Sequence, residues 1–244
     1  MNARELYQAG QLGPAVQALG AELRDNPTDT RRRIFLFELL CFAGEYDRAE
    51  KHLDVLAQAS PDAATGALLY RAALAAERTR HQLFEKRNYP SAPAPAPIHG
   101  ALNGKPFESL EDADPRIGAR LEVYAAGDYM WLPLAHLASV RMEAPKRLRD
   151  LLWIPALIRT GPELKDKELG ETLTPALSPF SSRHPDDAVR LGRATIWEED
   201  ENGVEIPAGQ KMLLVDGEEF PLLEVRTLEI AADSSARQTH ASAE

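Results

Sequence analysis

The stretches GQLGPA (residues 10–15) and GEYDRA (residues 44–49) decide the fold of the first part of the chain. Both fit the pattern Gly-x-(Leu/Tyr)-x-x-Ala, and the second begins 34 positions after the first. The prolines Pro27 and Pro61, which follow the two stretches, are also 34 residues apart. A fixed period of this length predicts that the same pair of helices occurs twice.

The residue types that repeat have a physical explanation. Glycine at positions 10 and 44 allows a left-handed backbone at the turn between two helices. The alanine five residues after each glycine lets the helices approach closely, and apolar positions such as Leu6 and Leu40 repeat with the same period. A helix–turn–helix unit of about 34 residues is typical of the tetratricopeptide (TPR) repeat.

The match to the TPR pattern is partial. Glu38 stands where the pattern has a small residue, Glu22 where it has alanine, and Arg78 where a third copy would have its glycine. We therefore predict two divergent repeats followed by a capping helix over about residues 61–86. Two unrelated helical hairpins are the alternative. A stack this short would need the second domain or a partner to cover its end.

Stacked TPR hairpins present the first helix of each pair on a concave face, and such faces hold short peptides or helices. The predicted partner-binding groove is lined by Arg4, Tyr7, Arg31, Ile34, Glu38, Thr65, Leu68 and Ala72. In this interpretation Tyr7, Ile34 and Leu68 make apolar contacts, while Arg4 and Arg31 pair with acidic residues of a guest helix. A competing interpretation places Ile34, Cys41 and Leu68 in the core, and both remain open.

The chain divides at PSAPAPAP (residues 90–97), because prolines cannot continue a helix. After it, short β-rich segments alternate with turn signals such as Asn103-Gly104 and Asp216-Gly217. We predict the α+β fold class, with N-terminal TPR-like α-helical hairpins followed by a smaller β-rich domain. The predicted divisions are a helical domain (1–89), a Pro/Ala linker (90–97), a β-rich C-terminal domain (98–230) and a disordered tail (231–244).

Further elements are predicted within the second half. Short helices are expected to begin at Asp114-Pro115 and at His184-Pro185, since proline suits the first position of a helix. The segments KMLLV (211–215) and FPLLEVRTLEI (220–230) are predicted to form a closing pair of strands.

The 244 residues carry a formal net charge of −10, all of it in the second half. Lys+Arg and Asp+Glu balance at 12 each up to Pro90, whereas 16 bases face 26 acids beyond it. An acidic domain repels phosphate backbones, which argues against a nucleic-acid partner. No apolar run is long enough to cross a bilayer and no secretory signal is visible. With a lone cysteine, Cys41, these features predict a cytoplasmic protein without membrane contact.

Catalysis and metal binding find little support, and neither a cofactor nor a metal is predicted. The six histidines form no His-x-x-His or Glu-x-x-His pair, and the usual nucleotide-binding and hydrolase motifs are absent. The alternative hypothesis is a hydrolase or metal-dependent enzyme that uses His184 with Asp186 or Asp187. The same residues also suit a helix N-terminus. EEDE (198–201) could gather a cation but suits a solvated turn better.

Four blocks of the second half resemble motifs of the ImpE/TagJ family, namely DADPRIGARLEV (112–123), GDYMWLPL (127–134), EAPKRLRDLLWIPALI (143–158) and LGRATIW (191–197). With the degenerate TPR helices, the resemblance extends from about Arg4 to Ile230. It implies a cytoplasmic, non-enzymatic adaptor, since the family comprises accessory proteins of bacterial type VI secretion systems. It also implies two partners, the N-terminal helix of the small subunit of the contractile sheath and the AAA+ ATPase that recycles contracted sheath.

The resemblance brings no catalytic residues, so the motifs need a structural explanation. Trp131, Trp153 and Trp197 each lie in a short apolar segment and are interpreted as core residues, because large aromatic side chains dominate small cores. Arg149 and Asp150 are predicted to form a buried or half-buried ion pair. A partner-binding patch is the alternative, and Trp153 is its best candidate for a second contact.

Overall fold

The computed structural model describes residues 1–89 and 98–231. The predicted Pro/Ala linker and the tail beyond Ala231 lie outside the described residues. Helices make up the first range and short strands most of the second, so the predicted α+β class is confirmed. Within these two ranges, no helix has the length and apolar character needed to span a lipid bilayer.

The first range folds into two helical hairpins followed by one longer helix. The helices are α1 Ala3–Gln8, α2 Leu12–Asp25, α3 Thr30–Phe42, α4 Tyr46–Ala57 and α5 Pro61–Glu85. The side chains of Asn2, Asp29 and Ser60 accept hydrogen bonds from backbone amides in the first turns of α1, α3 and α5. These caps satisfy amides that have no partner within the helix, and they set where the three helices begin.

The repeated glycines lie at the turns inside the two hairpins. Gly10 and Gly44 have φ angles of +77° and +72°, in the left-handed region that glycine enters without strain. Ala15 and Ala49, the repeated small residues, are fully buried. The helical hairpins therefore occur where the 34-residue period predicts them.

Helix α3 lies at the centre of the helical half, and its second half is covered on all sides. Residues 36–42 form seven consecutive buried positions, and a helical segment without an exposed face needs neighbours all round. Helices α2 and α4 supply part of this cover. The second half of the chain supplies the rest, because Tyr124, Leu152 and Trp153 belong to the same apolar cluster as α3.

Antiparallel sheets dominate the second described range. The strands are β1 Gly100–Leu102, β2 Lys105–Phe107, β3 Leu110–Asp112, β4 Arg120–Ala125, β5 Asp128–Pro133, β6 Leu137–Met142, β7 Trp153–Thr160, β8 Glu168–Pro175, β9 Thr195–Glu199, β10 Glu205–Gly209, β11 Met212–Val215, β12 Glu218–Pro221 and β13 Thr227–Ile230. The largest sheet has the order β2-β1-β13-β6-β7-β8-β4-β5, and the smaller sheets have the orders β10-β9 and β12-β11-β3. Helix α6, Asp187–Arg190, lies between β8 and β9 in the chain.

Both hairpin dipeptides are confirmed as turns, since Asn103-Gly104 joins β1 to β2 and Asp216-Gly217 joins β11 to β12. The predicted closing pair of strands is wrong. Segment 220–230 is broken by a 3-10 turn at Leu222–Glu224, so that only its first two residues pair with β11. Its last part, β13, joins the large sheet between β1 and β6. Apolar composition alone does not show such a break, although Pro221 ends the first strand.

The two predicted short helices have different outcomes. No helix begins at Asp114, whose carboxylate instead accepts hydrogen bonds from the backbone amide and guanidinium of Arg116 in a tight turn. The helix predicted near His184 is present as α6, but it begins at Asp187 and has four residues. Side-chain to backbone bonds of aspartate favour turns as readily as helix starts, which explains the first error.

Candidate functional site

An open groove of about 430 Å³ lies on the helical half, between α1 and α3. We call it the α1–α3 groove, and it is lined by Arg4, Tyr7, Gln8, Arg31, Ile34, Phe35, Glu38 and Leu148. Five of the eight residues predicted to bind a partner, Arg4, Tyr7, Arg31, Ile34 and Glu38, are therefore brought together around one depression. Leu148 comes from the second half of the chain, which the sequence did not place here.

The floor of the α1–α3 groove is apolar and held in place. Tyr7 packs edge-on against Phe35, with ring centroids 5.6 Å apart. The guanidinium of Arg193 lies over the Tyr7 ring at 4.8 Å and donates hydrogen bonds to the carbonyls of Tyr7 and Gln8 at 2.7 and 3.0 Å. Because these contacts fix the ring and the end of α1, the floor presents a preformed apolar surface.

The rim of the groove is cationic. Arg4 and Arg31 are exposed, and among the described residues neither has a carboxylate within ion-pair distance. Two uncompensated guanidinium groups beside an apolar floor suit an amphipathic segment with carboxylates along one flank.

Glu38 closes one end of the groove and is only 7% exposed. Burial raises its pKa from an ordinary 4.5 to about 7, although the guanidinium of Arg149, 3.5 Å away, opposes the shift. The same guanidinium lies over the Tyr70 ring at 4.8 Å. A glutamate thus stands where the TPR pattern has a small residue because a cation from the second half of the chain reaches it.

The stability of the protein is expected to depend on pH through Glu38. Because its pKa is higher in the folded protein than in the unfolded chain, the free energy of unfolding falls as pH rises from about 4.5 to about 7. Glu38→Gln removes the contribution of Glu38 to this dependence and raises the free energy of unfolding by about 3 kcal/mol at about pH 8 relative to wild type, with little change at about pH 4. A dependence over the same pH range remains from Asp112, whose pKa burial also raises to about 7.

Urea unfolding of both proteins at the two pH values measures this difference. Glu108→Gln, which changes an exposed carboxylate, is the control and is expected to retain the pH dependence of the wild type. If Glu38→Gln retained the full pH dependence of the wild type, other buried carboxyl groups would account for all of it and the assignment to Glu38 would be wrong.

The predicted groove residues of the third helix do not share the α1–α3 groove. Thr65 is exposed, Leu68 is 66% exposed, and Ala72 lies beside the β4–β5 turn at Gly127. Of the three residues that could have belonged to the core, Cys41 is buried, Ile34 is half-buried in the groove and Leu68 is exposed.

The chain's own segment 148–153 covers the middle of the concave face. Leu148 and Leu151 pack against the apolar cluster of the helices, and Trp153 stacks on Tyr70 with ring centroids 6.4 Å apart. The expectation of one continuous trough from α1 to α5 is therefore wrong. The physical reason is that an apolar loop from the second half of the chain buries its side chains on the helices, which a repeat pattern does not reveal.

Trp153 belongs to the core, with 3% of its surface exposed. Its indole Nε1 donates a hydrogen bond to Glu77 Oε2 at 3.0 Å, so the core interpretation describes it better than a surface contact. Trp131 is half-buried and Trp197 is exposed, so the core interpretation is wrong for Trp197. The predicted ion pair between Arg149 and Asp150 is also wrong, because Arg149 pairs with Glu38.

A buried ionic network joins α5 to the sheets, and the sequence interpretation missed it. Arg80 donates to both carboxylate oxygens of Glu122, at 2.7 and 2.9 Å, and to Glu77 at 3.2 Å. Lys211 Nζ lies 2.6 Å from Glu122 and 2.6 Å from Asp112. The one sequence signal was Glu122 itself, a charge between Leu121 and Val123 in a strand that is otherwise buried.

The network shifts the titration of its carboxyl groups in opposite directions. Burial alone would raise the pKa of Glu122, but the cations of Arg80 and Lys211 outweigh it and lower that pKa to about 2. Burial dominates at Asp112 and raises its pKa to about 7, against the attraction of Lys211. Arg80 and Lys211 therefore keep Glu122 ionised. Burial of its charge would be unfavourable without these two cations.

The candidate catalytic residues have structural roles. The side chain of Asp186 caps α6 by accepting from the Ala188 amide at 2.8 Å. Asp187 accepts from the Leu12 amide at 2.7 Å, at the start of α2, and pairs with Arg190. His184 Nδ1 accepts from the Asp186 amide at 3.0 Å. Among the described residues, no hydroxyl or thiol is hydrogen-bonded to His184 in a way that would activate a nucleophile.

EEDE (198–201) spans the end of strand β9 and the turn that follows it, and it does not form a cation site. Asp200 accepts from the backbone amides of Asn202 and Val204, and Glu201 pairs with Arg87. Over residues 1–89 and 98–231, no group of three or more histidine, cysteine or acidic side chains is arranged to hold a metal ion.

Three comparisons relate the chain to known proteins. A family model described as ImpE protein matches residues 104–229. The type VI secretion system accessory component TagJ of Pseudomonas aeruginosa is 35% identical over 266 aligned positions, which cover 94% of this chain and 91% of TagJ. A crystal structure of a Vibrio parahaemolyticus protein, 21% identical, superposes with a TM-score of 0.82 and covers 96% of this chain and 99% of its own. That last likeness establishes a shared fold.

Proposed function

Since the chain belongs to the ImpE family, we propose that it is a non-enzymatic accessory component of a bacterial type VI secretion system, acting as an adaptor. In this proposal, the α1–α3 groove receives the N-terminal helix of the small subunit of the contractile sheath. The adaptor would link that helix to the AAA+ ATPase that recycles contracted sheath, and both contacts would take place in the cytoplasm.

The observation that carries the proposal is the chemistry of the α1–α3 groove. Its apolar floor of Tyr7, Ile34 and Phe35 is flanked by the guanidinium groups of Arg4 and Arg31, which have no carboxylate partner among the described residues. An amphipathic helix with acidic flanks would lay its apolar stripe on this floor and bring its carboxylates to the two guanidinium groups. The floor is already in place before binding, so binding orders the helix and the two rim arginines but not the floor.

The groove accommodates a short helical segment rather than a whole domain. With a volume of about 430 Å³, it matches the size of pockets that enclose a few side chains. An adjoining depression shares Arg4, Arg31 and Phe35 with it and extends it along α3 toward Asp29. Together the two depressions offer a path along α3 for a helix of a few turns.

A peptide with the sequence of the N-terminal helix of the sheath subunit is expected to bind the full chain with micromolar affinity. Arg31→Glu is expected to weaken binding about tenfold, because it places a carboxylate against acidic side chains of the peptide. Isothermal titration calorimetry at fixed ionic strength measures both affinities.

Arg24→Glu is the matched control, since it makes the same charge change at an exposed position near the end of α2, outside the groove. It is expected to leave the affinity unchanged. Equal losses for the two variants would mean that net charge, not the groove, governs binding. No binding by the wild-type chain would remove the sheath-helix mechanism altogether.

A further inference from the structure

A second and larger groove, of about 790 Å³, lies on the other side of segment 148–153. We call it the sheet-face groove. One wall is α5, at Leu69 and Tyr70, and the floor is the large sheet at β7, around Pro155 and Leu157. Segment 148–153 contributes Asp150 and Trp153 to it and Leu148 to the α1–α3 groove, so the same segment separates the two.

The floor of the sheet-face groove exposes apolar surface at the centre of the largest sheet. Strand β7 alternates, with Ile154, Ala156 and Ile158 buried and Pro155 and Leu157 exposed. Leu157 is 60% exposed although β7 lies between β6 and β8 in the interior of the sheet. Across the groove, Leu69 is 38% exposed. Exposed leucines that face each other across one depression mark a binding surface more often than isolated ones.

The charged residues around this apolar floor include one more cation than carboxylates. Four cations and three carboxylates line the groove, in a chain whose net charge is −10. Among the described residues, Arg141, Arg147 and Arg226 have no carboxylate within ion-pair distance.

Two of the three lining carboxylates are already engaged. Glu143 pairs with Lys146, and Asp150 accepts hydrogen bonds from the backbone amides of Lys146 and Arg147 at 2.8 and 2.9 Å. Glu171 is the remaining one. The groove therefore offers three guanidinium groups without a carboxylate partner among the described residues, which is complementary to carboxylates flanking an apolar stripe. One of them, Arg226, also donates to the carbonyls of Leu223 and Val225 at 2.8 and 2.7 Å.

We propose that the sheet-face groove is a second docking site and that its occupant is an acidic amphipathic segment of a protein partner. The apolar side chains of that segment lie on Leu69 and Leu157, and its carboxylates pair with Arg141, Arg147 and Arg226. A second copy of this chain suits the groove less well, because two-fold pairing would bring the same arginines of both copies together. The site is separate from the α1–α3 groove and does not depend on what occupies it.

Tiled peptides of about 15 residues, long enough for an amphipathic helix, test the proposal. They cover the proteins encoded with the secretion system, and their affinity for the full chain is measured by fluorescence anisotropy. Peptides that bind the sheet-face groove are expected to be acidic and amphipathic. Leu157→Glu is expected to weaken the binding of these peptides about tenfold, and Arg141→Glu is expected to weaken it by a similar factor.

The controls separate this site from the other groove and from nonspecific effects. Leu164→Glu makes the same change at another exposed leucine, outside both grooves, and is expected to leave the affinities unchanged. Arg31→Glu, in the α1–α3 groove, is also expected to leave these affinities unchanged. The sheath-helix proposal, which predicts weaker binding by that variant, can therefore fail without affecting the test of the sheet-face groove. Circular dichroism of each variant verifies the fold.

Three results would overturn the assignment. One is that no peptide loses affinity on Leu157→Glu while the variant remains folded. Another is that the peptides which do lose affinity are neutral or basic. The third is a wild-type dimer in sedimentation velocity that Leu157→Glu dissociates, which would make the occupant a second copy of the chain.

Discussion

Arg80→Met is expected to lower the free energy of unfolding by about 3–5 kcal/mol, the usual loss when one partner is removed from a buried ion pair. Arg80 is almost completely buried and donates two hydrogen bonds to Glu122, one to Glu77 and one to the carbonyl of Leu177. Without the guanidinium, Glu122 keeps Lys211 as its one cation, in a site where burial disfavours the charged carboxylate. Urea unfolding followed by tryptophan fluorescence measures the loss.

Arg78→Met is the matched control, because Arg78 lies two positions away on the same helix. Its partners Asp47 and Glu50 are at the surface, and ion pairs of that kind contribute about 1 kcal/mol or less. If Arg80→Met does not fold, Arg80→Lys is measured instead, because lysine retains the charge without the paired geometry. Its free energy of unfolding is expected to be about 1–2 kcal/mol lower than that of the wild type. A loss from Arg80→Met no larger than that from Arg78→Met would show that the network is not structurally required.

A double variant tests whether the loss arises from the uncompensated carboxylate. Adding Glu122→Gln to Arg80→Met removes the negative charge of Glu122, which is the carboxylate that Arg80 binds through two hydrogen bonds, and Lys211 remains paired with Asp112. The double variant is therefore expected to be more stable than Arg80→Met alone. Equal stability of the two would mean that lost packing of the Arg80 side chain, rather than electrostatics, causes the effect.

Gly44→Ala is expected to lower the free energy of unfolding by about 3 kcal/mol, through two effects. A side chain at a φ of +72° strains the backbone by about 1–2 kcal/mol. A Cβ atom at this position would also lie 2.8 Å from Ser182 Oγ and 3.1 Å from Ser182 Cβ, and overpacking of this kind adds about 1–3 kcal/mol. Thermal and urea unfolding give the difference from wild type.

Gly10→Ala separates the two effects, because Gly10 is the equivalent glycine of the first hairpin. Its φ is +77°, but the nearest atom to a Cβ there is Arg193 Nη1 at 3.5 Å, an ordinary contact. This variant is expected to lose about 1–2 kcal/mol, from backbone strain alone. Ser182→Gly is expected to recover the excess loss of Gly44→Ala. If Gly10→Ala and Gly44→Ala lowered the free energy of unfolding by the same amount, contact with Ser182 would play no part.

Local signals in the sequence predict the helical half well. The period of 34 residues placed both hairpins, both left-handed glycines and the buried alanines, because each depends on contacts inside one repeat. Asn103-Gly104 and Asp216-Gly217 likewise identified their hairpins, since a two-residue turn is determined by its own φ angles. Five of the predicted groove residues followed from the same register.

Interactions between distant segments were beyond what the sequence pattern predicts. The pattern does not show that β13 lies between β1 and β6, or that Arg149 reaches Glu38 across 111 positions of the chain. His184, Asp186 and Asp187 suggested chemistry, yet the structure uses both aspartates as caps, one of them for α2. A charged residue has the same appearance in a sequence whether its partner is a substrate or a helix end.

The sequence by itself determined the helices of the first half, their turns, the two β-hairpin turns at Asn103-Gly104 and Asp216-Gly217, and the family, because these depend on residues that are neighbours in the chain or in a recurring pattern. Only the tertiary structure decided that segment 148–153 separates the α1–α3 groove from the sheet-face groove and that Arg80 and Lys211 share one buried carboxylate. The physical reason is that burial of apolar side chains is not directional. Which surfaces remain open is therefore settled when the two halves pack together.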